Sequence, residues 1–405
     1  MIKNVLKKFT PPIIWKLAKM VTSIIKKKQR TSCSFINNKN DKNIYLDCDI
    51  IYIPIIDEIL KNITNQYDDN YDFYRFGVKD KGKHLKSRNI QFNIDQYRNS
   101  LEALLPYFTG IQNLYNILAD DQSKQLLIKL IVYKIMGYEK YKLPLNTFEY
   151  WNGFKELEKY KSPSDYITAV FPGKQDYRLY KHDLTDINIP IKIYYSTSGI
   201  YAHLKIKQYE YINDNVTIKI APDDIILDCG ACWGDTALFF ANELSEKGHV
   251  YSFEFIPNNI MVFHKNIETN ANLKDKITLI PNPLDEFNNK KLYYIDNGPG
   301  SRVVSEPVAG YDIIFTINID YFFEKYKLEK IDFIKMDIEG AELPALRGAV
   351  KTIRQFRPKL AISIYHSMDD FVNIAAYLHS LNLDYKFYLK HGTIHNEETV
   401  LLAIA

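Results

Sequence analysis

Acidic side chains that close apolar runs are the residues of this sequence best placed to do chemistry. The run Ile225-Ile-Leu ends in Asp228, His249-Val-Tyr-Ser-Phe ends in Glu254, and Ile331-Asp-Phe-Ile-Lys-Met ends in Asp337. A fourth run, from Pro358, ends near His366. Short apolar runs bounded by turn residues predict buried strands, and α/β proteins bind their ligands outside the carboxyl ends of such strands. After Asp228 comes Cys229-Gly-Ala-Cys-Trp-Gly-Asp-Thr236, which predicts a tight turn and a helix opening at Asp235. A carboxylate at Glu254, one supersecondary unit later, can accept a hydrogen bond from each of two ribose hydroxyls.

The glycine spacing discriminates among nucleoside cofactors. A pyrophosphate needs G-x-G-x-x-G so that the backbone can come close. Here Gly230 and Gly234 flank the bulky Trp233, and no Lys follows as in a phosphate-cradling loop. Asp228 and Asp235 repel phosphate and suit a cation. S-adenosylmethionine, with a sulfonium, an amino group and no phosphate, fits this pattern. Cys229 and Cys232 form a C-x-x-C, but the pair lies inside the turn, and Cys33 and Cys48 supply no second such pair for zinc. Small side chains in a tight loop are the better account.

At 405 residues and 46% hydrophobic, the chain can bury a large core and predicts two domains. Its net charge of +3 is unevenly placed: residues 1–30 hold nine Lys/Arg and no acid, leaving 43 basic and 49 acidic residues in the rest. A mildly acidic body argues against nucleic acid as a partner. Four cysteines are too few for a disulfide framework and fit a reducing, cytoplasmic compartment. Residues 1–30 predict a basic amphipathic helix, with Ile14, Leu17, Ala18, Val21, Ile24 and Ile25 on one stripe and Lys16, Lys19 and Lys26 largely opposite. Such a helix can lie on an anionic inner-membrane surface; docking on the protein's own body, or oligomerisation, is the competing reading.

The elements that must position the acids follow in order. Residues 31–190 predict a mainly helical domain, with Asp120-Asp121 opening a helix that buries Leu126, Leu127, Leu130, Ile131 and Ile135. Breaks are expected at 142–147, at Pro163 and at Pro172-Gly173. From 191 the texture turns to short alternating segments, 191–195, 204–211 and 216–220, which predict hairpins leading into a main sheet. The strand at 277–280 leads to Pro283 and Leu284 and then to an insert with the turn Asn297-Gly-Pro-Gly-Ser-Arg302. Two closing strands, at 385–390 and 399–405 with no helix between, predict an antiparallel hairpin on an otherwise parallel sheet.

Asp228-Cys-Gly-Ala-Cys-Trp-Gly-Asp-Thr236, Phe253-Glu254, Ile334-Lys-Met-Asp-Ile-Glu-Gly-Ala-Glu342 and Glu398-Thr-Val-Leu401 together resemble the FkbM-like methyltransferases. The resemblance covers about residues 200–405 and implies a Rossmann-like, seven-stranded, S-adenosylmethionine-dependent enzyme over 191–405. Ile362-Ser-Ile-Tyr-His366 departs from members with a Glu before the His. Carried onto this sequence, the resemblance implies cofactor contacts from Asp228, Gly230, Ala231, Gly234, Asp235, Thr236, Glu254 and Phe255. Pro283 and Leu284 would lie beside the adenine. It also implies methyl transfer, in a family that mostly O-methylates hydroxyls of natural products and bacterial surface sugars, and leaves the acceptor open. The membrane-surface helix points to a sugar of a bacterial surface glycan or its precursor, since lipid-linked precursors sit at the inner leaflet. A small natural product is the rival acceptor, and an inactive cofactor-binding scaffold the rival class. Methyl transfer to an alcohol gains from alignment and needs a base. Asp337 is the first candidate and His366, with the better intrinsic pKa, the second. Asp337, Glu339, Glu342 and His366 could also hold a divalent cation, although a Glu opening a helix is also ordinary dipole compensation.

Overall fold

The apolar runs that end in acids fold as neighbouring strands. A computed structural model describes residues 51–72, 94–171 and 173–405. The basic helix predicted at 1–30 lies outside the described residues. In chain order the strands are β1 (Lys161–Phe171), β2 (Lys174–Asp183), β3 (Lys192–Tyr195), β4 (Tyr211–Ile212), β5 (Thr217–Ile218), β6 (Ile225–Cys229), β7 (His249–Phe253), β8 (Ile277–Ile280), β9 (Lys291–Tyr294), β10 (Val303–Val304), β11 (Asp312–Phe315), β12 (Phe333–Met336), β13 (Lys359–Ser363), β14 (Lys386–His391) and β15 (Thr399–Ile404).

Seven of them form one sheet in the order β14-β15-β13-β12-β6-β7-β8. The pairs from β13 through β12, β6 and β7 to β8 are parallel, and β15 runs antiparallel to both β13 and β14. This is the Rossmann-like sheet with a closing hairpin that the sequence predicts. All four residues of β12 are buried, as a central strand covered on both faces requires. Met336 pairs with Cys229, so the ends of β12 and β6 lie side by side and bring Asp337 to the loop that follows Asp228.

Helices join the parallel strands, and their ends carry ordinary local signals. Pro257 opens the helix Pro257–Thr269, and Ser367 caps Met368–Ser380 by accepting from the Asp370 N–H at 3.0 Å. In the N-terminal half, helices span Tyr52–Asn62, Ile94–Leu104, Phe108–Ile117 and Asp121–Met136. Asp120 caps the last of these through the Ser123 N–H at 2.8 Å.

Two compact units partition the chain. One holds residues up to 116 with 124–146 and 394–396; the other holds 117–123, 147–393 and 397–405. Residues 147–190, assigned from sequence to a mainly helical N-terminal domain, thus group with the large sheet. Within them β1 and β2 form a long antiparallel pair extended by β3. The packing gives the reason: Ala169, Leu179 and Tyr194 share a core cluster with Trp233 and Val262. Pro163 is tolerated inside β1 because that strand is an edge and its pairing shifts register there. Residues 204–206, expected as strand, belong instead to a π-helical turn, Ala202–Ile206, that extends the Ser196-capped helix Thr197–Tyr201. The insert after β8 carries a small sheet, β10-β9-β11, with Gly298–Gly300 at its expected turn.

Candidate active site

The loop after β6 is shaped by glycine and by buried charge. Gly230 has φ +87°, and a Cβ there would stand 1.8 Å from the Asp337 carbonyl oxygen. The N–H groups of Gly230 and Ala231 both donate to the Phe253 carbonyl, at 3.0 and 2.9 Å. Gly234, with φ +80°, turns the chain into the helix Asp235–Glu243. Beneath the loop Asp228 is 0% exposed: Oδ2 accepts from the Thr236 hydroxyl at 2.7 Å, and Oδ1 lies 3.1 Å from Lys335 Nζ. Lys335, 2% exposed in β12, also donates to the Gly230 carbonyl at 2.7 Å.

Asp228 and Thr236, expected from sequence as cofactor contacts, are buried and bonded to each other beneath the loop. Both point inward, because a lysine buried in a central strand must find an anion. Burial pulls the Lys335 pKa down, but Asp228, Asp337 and Asp235 outweigh it and hold the ammonium above its ordinary value. The signal was in the sequence: Lys335 interrupts an otherwise apolar run.

Asp235 opens its helix with its carboxylate against an imidazole, His203 Nε2 at 2.7 Å. The His203 ring stacks on Phe239 with centroids 4.6 Å apart. At the end of β7, Glu254 Oε1 accepts from the Phe255 and Ile256 N–H groups at 2.7 and 2.8 Å, and Oε2 from Asn259 at 3.1 Å. Burial pushes the Glu254 pKa up to about 7 against these donors. Pro283 and Leu284 are buried past the end of β8, where the Ile317 N–H donates to the Pro283 carbonyl at 3.0 Å.

One segment ahead of the main sheet reaches three of the acids. His203 meets Asp235, Gln208 Nε2 donates to Glu398 Oε2 at 2.6 Å, and the Tyr209 hydroxyl donates to Asp337 Oδ2 at 3.2 Å. Sequence reading missed all three donors, since nothing in 202–209 betrays contact with residues up to 190 positions away. The π-helical turn and Lys207, with φ +52°, aim them.

Asp337 accepts a further hydrogen bond from the Tyr365 hydroxyl, Oδ1 at 3.1 Å. Its pKa is lowered: burial alone would raise it, but His366, Lys335 and Tyr365 favour the ionised form. His366 ends the β13 segment with its ring between carboxylates. Glu342 Oε1 stands 3.1 Å from Nδ1; Asp337 Oδ1 and Glu339 Oε1 stand 3.3 and 3.7 Å from Nε2. Burial lowers the His366 pKa, yet Asp337, Glu339 and Glu342 more than reverse this. The near-neutral pKa that recommended His366 as a base is therefore lost. Glu342 itself is fixed by the Ile338 and Gly340 N–H groups at 2.8 and 3.0 Å, and its pKa is raised mainly by burial.

With this edge described, comparison with known proteins gives a family. Residues 228–387 match the family described as the methyltransferase FkbM domain. These residues are an FkbM methyltransferase domain. No curated protein matches the chain. Among solved structures, the chain is similar to a methyltransferase FkbM from Methylobacillus flagellatus, with 20% identity over 82% of this chain and 72% of that one and a TM-score of 0.48. It also resembles a putative O-methyltransferase from Klebsiella pneumoniae (14% identity, 52% and 80% covered, TM-score 0.30) and an O-methyltransferase from Bacillus cereus in complex with S-adenosylhomocysteine (18%, 55% and 86%, 0.31).

The FkbM domain thus supplies Asp228, Asp235, Glu254, Asp337, Glu342 and His366, while His203, Gln208 and Tyr209 precede it. Cys229 and Cys232 are free thiols inside it. Burial drives both thiol pKa values up, the opposite of what a reactive thiolate needs.

Proposed function

We propose that this protein transfers a methyl group from S-adenosylmethionine to a sugar hydroxyl, in a bacterial surface glycan or its precursor. The edge of the sheet suits that cofactor. Gly230 lets the loop pack against the Asp337 carbonyl, where a Cβ would stand at 1.8 Å, and Asp235, Glu254 and Asp337 offer carboxylates of the kind that suit a cation and a ribose diol. Lys335, which donates to the Gly230 carbonyl of the loop, is committed to Asp228 beneath it rather than waiting for a phosphate. When bound, S-adenosylmethionine supplies an electrophilic methyl carbon.

Asp337 carries the mechanistic reading. It follows the central strand β12; His366 and Lys335 favour its ionised form, and the Tyr209 and Tyr365 hydroxyls orient the carboxylate. An alcohol oxygen becomes strongly acidic as it is alkylated, so a carboxylate of low pKa is base enough to take the proton. Glu254 accepts from the ribose, and Pro283 and Leu284 wall the adenine side. The bulk of the acceleration comes from holding the acceptor in line and dry. The sugar acceptor draws support from the family resemblance and from the basic residues 1–30, since lipid-linked glycan precursors lie at a membrane surface.

The test is incubation with methyl-labelled S-adenosylmethionine and a surface-glycan extract. Label should enter the glycan, and Asp337→Asn should keep cofactor binding while losing turnover by about 10²–10⁴-fold, the usual range for a positioned base. Label in a small-molecule pool alone would overturn the sugar assignment. An unimpaired Asp337→Asn would overturn the base.

A further inference from the structure

The ring of His366 is 3% exposed, and neither of its nitrogens makes a hydrogen bond. Three carboxylates nevertheless stand within 4 Å of it. On the Nε2 side, close approach of Asp337 and Glu339 without hydrogen-bond geometry is the pattern of atoms that face a common point. Ligand atoms of a six-coordinate ion, each about 2.0–2.1 Å from the metal, stand roughly 3 Å apart along a shared edge. The 3.3 Å between His366 Nε2 and Asp337 Oδ1 matches such an edge. Asp337, Glu342 and His366 bring ligand-type atoms within 4.8 Å of one another.

We propose that this cluster binds one hard divalent cation of the Mn²⁺/Mg²⁺ class. His366 Nε2 and Asp337 are its inner ligands, Glu339 completes the protein set, and Glu342 holds the Nδ1 side of the ring. Each part has its own support. Glu342 is pinned by the Ile338 and Gly340 N–H groups with Oε1 3.1 Å from Nδ1, in reach of the position from which a carboxylate orients a metal-binding histidine. Glu339 has φ +58°, a conformation that costs an L-residue energy, and it turns the side chain toward Nε2. Carboxylates with one imidazole and no thiolate select a hard ion over a soft one. The Tyr209 and Tyr365 hydroxyls donate to Asp337 and fix its carboxylate. A cation here would lower the pKa of an acceptor hydroxyl; that role, though not the binding, rests on the methyl-transfer reading.

Titration of the full chain with Mn²⁺, followed by electron paramagnetic resonance, tests the site. S-adenosylhomocysteine binding in the same samples reports an intact fold. Wild type should bind one Mn²⁺ per chain, displaced by excess Mg²⁺. His366→Ala should abolish that binding, and Glu342→Gln should weaken it about 10–100-fold, as loss of an orienting carboxylate does. Wild type that takes up S-adenosylhomocysteine but no more Mn²⁺ than His366→Ala overturns the cation site. Stoichiometric Mn²⁺ without S-adenosylhomocysteine binding would uphold the site and overturn the cofactor assignment instead.

Discussion

A lysine inside a central strand survives only with its anion, and in this fold the pair Lys335–Asp228 also sets the cofactor loop from below. Lys335→Met leaves Asp228 buried and unpaired, which should cost about 3–5 kcal/mol in urea unfolding. An unchanged unfolding midpoint would mean that the pair is dispensable. Glu254 has the opposite character. Its folded-state pKa of about 7 lies above the ordinary carboxylate value, so the folded protein holds that proton more tightly than the unfolded chain. The group therefore destabilises the fold in full above pH 7, and the penalty fades as pH falls toward about 4.3. In the cofactor-free protein, Glu254→Gln should raise the thermal midpoint relative to wild type at pH 8, and that gap should narrow as pH falls below about 7 and close near about pH 4. A gap that widens with acid would reverse the assignment.

Two connections decide whether the elements deliver these side chains. The turn after β6 has room for Gly230 alone, since any Cβ meets the Asp337 carbonyl and φ is +87°. Gly230→Ala should weaken S-adenosylhomocysteine binding at least about tenfold, given roughly 1–3 kcal/mol of backbone strain. Calorimetry on the folded variant would show it. The helix Met368–Ser380 follows directly on His366 and starts at the Ser367 cap. Ser367→Ala should cost about 1 kcal/mol in unfolding while leaving the FkbM domain able to bind cofactor. The segment 202–209 is the less expected element: one short irregular stretch ahead of the family domain pins Asp235, Glu398 and Asp337 at once.

At the scale of the whole molecule, charge is segregated. Nine basic residues in the first 30 precede a body with an acidic excess, within which Glu254 and Asp337 follow directly on strands β7 and β12 of the large sheet. Among the described residues no helix is long and apolar enough to cross a membrane. The basic amphipathic helix expected from sequence at residues 1–30, which lie outside the described residues, would attach to a lipid surface. Deleting them should reduce the fraction that sediments with anionic vesicles, and 1 M salt should do the same to wild type by screening. Equal sedimentation with and without the segment would remove the membrane from the account.

What the sequence alone determined was the local logic. Strand period, the acids that close the runs and the Gly230/Gly234 spacing are short-range patterns, and they predicted the parallel sheet, the closing hairpin and the edge where Asp337 and Glu254 stand. Tertiary structure decided which way each acid faces. Asp228 looked like a ligand contact until Lys335, more than 100 residues away, claimed it. Near-neutral His366 looked like a base until three carboxylates surrounded it. The donors His203, Gln208 and Tyr209, and the strands β1 and β2 packed beside Trp233, were illegible for the same reason. Burial and pairing are set by which distant residues meet, and a strand's periodicity carries no record of its partners.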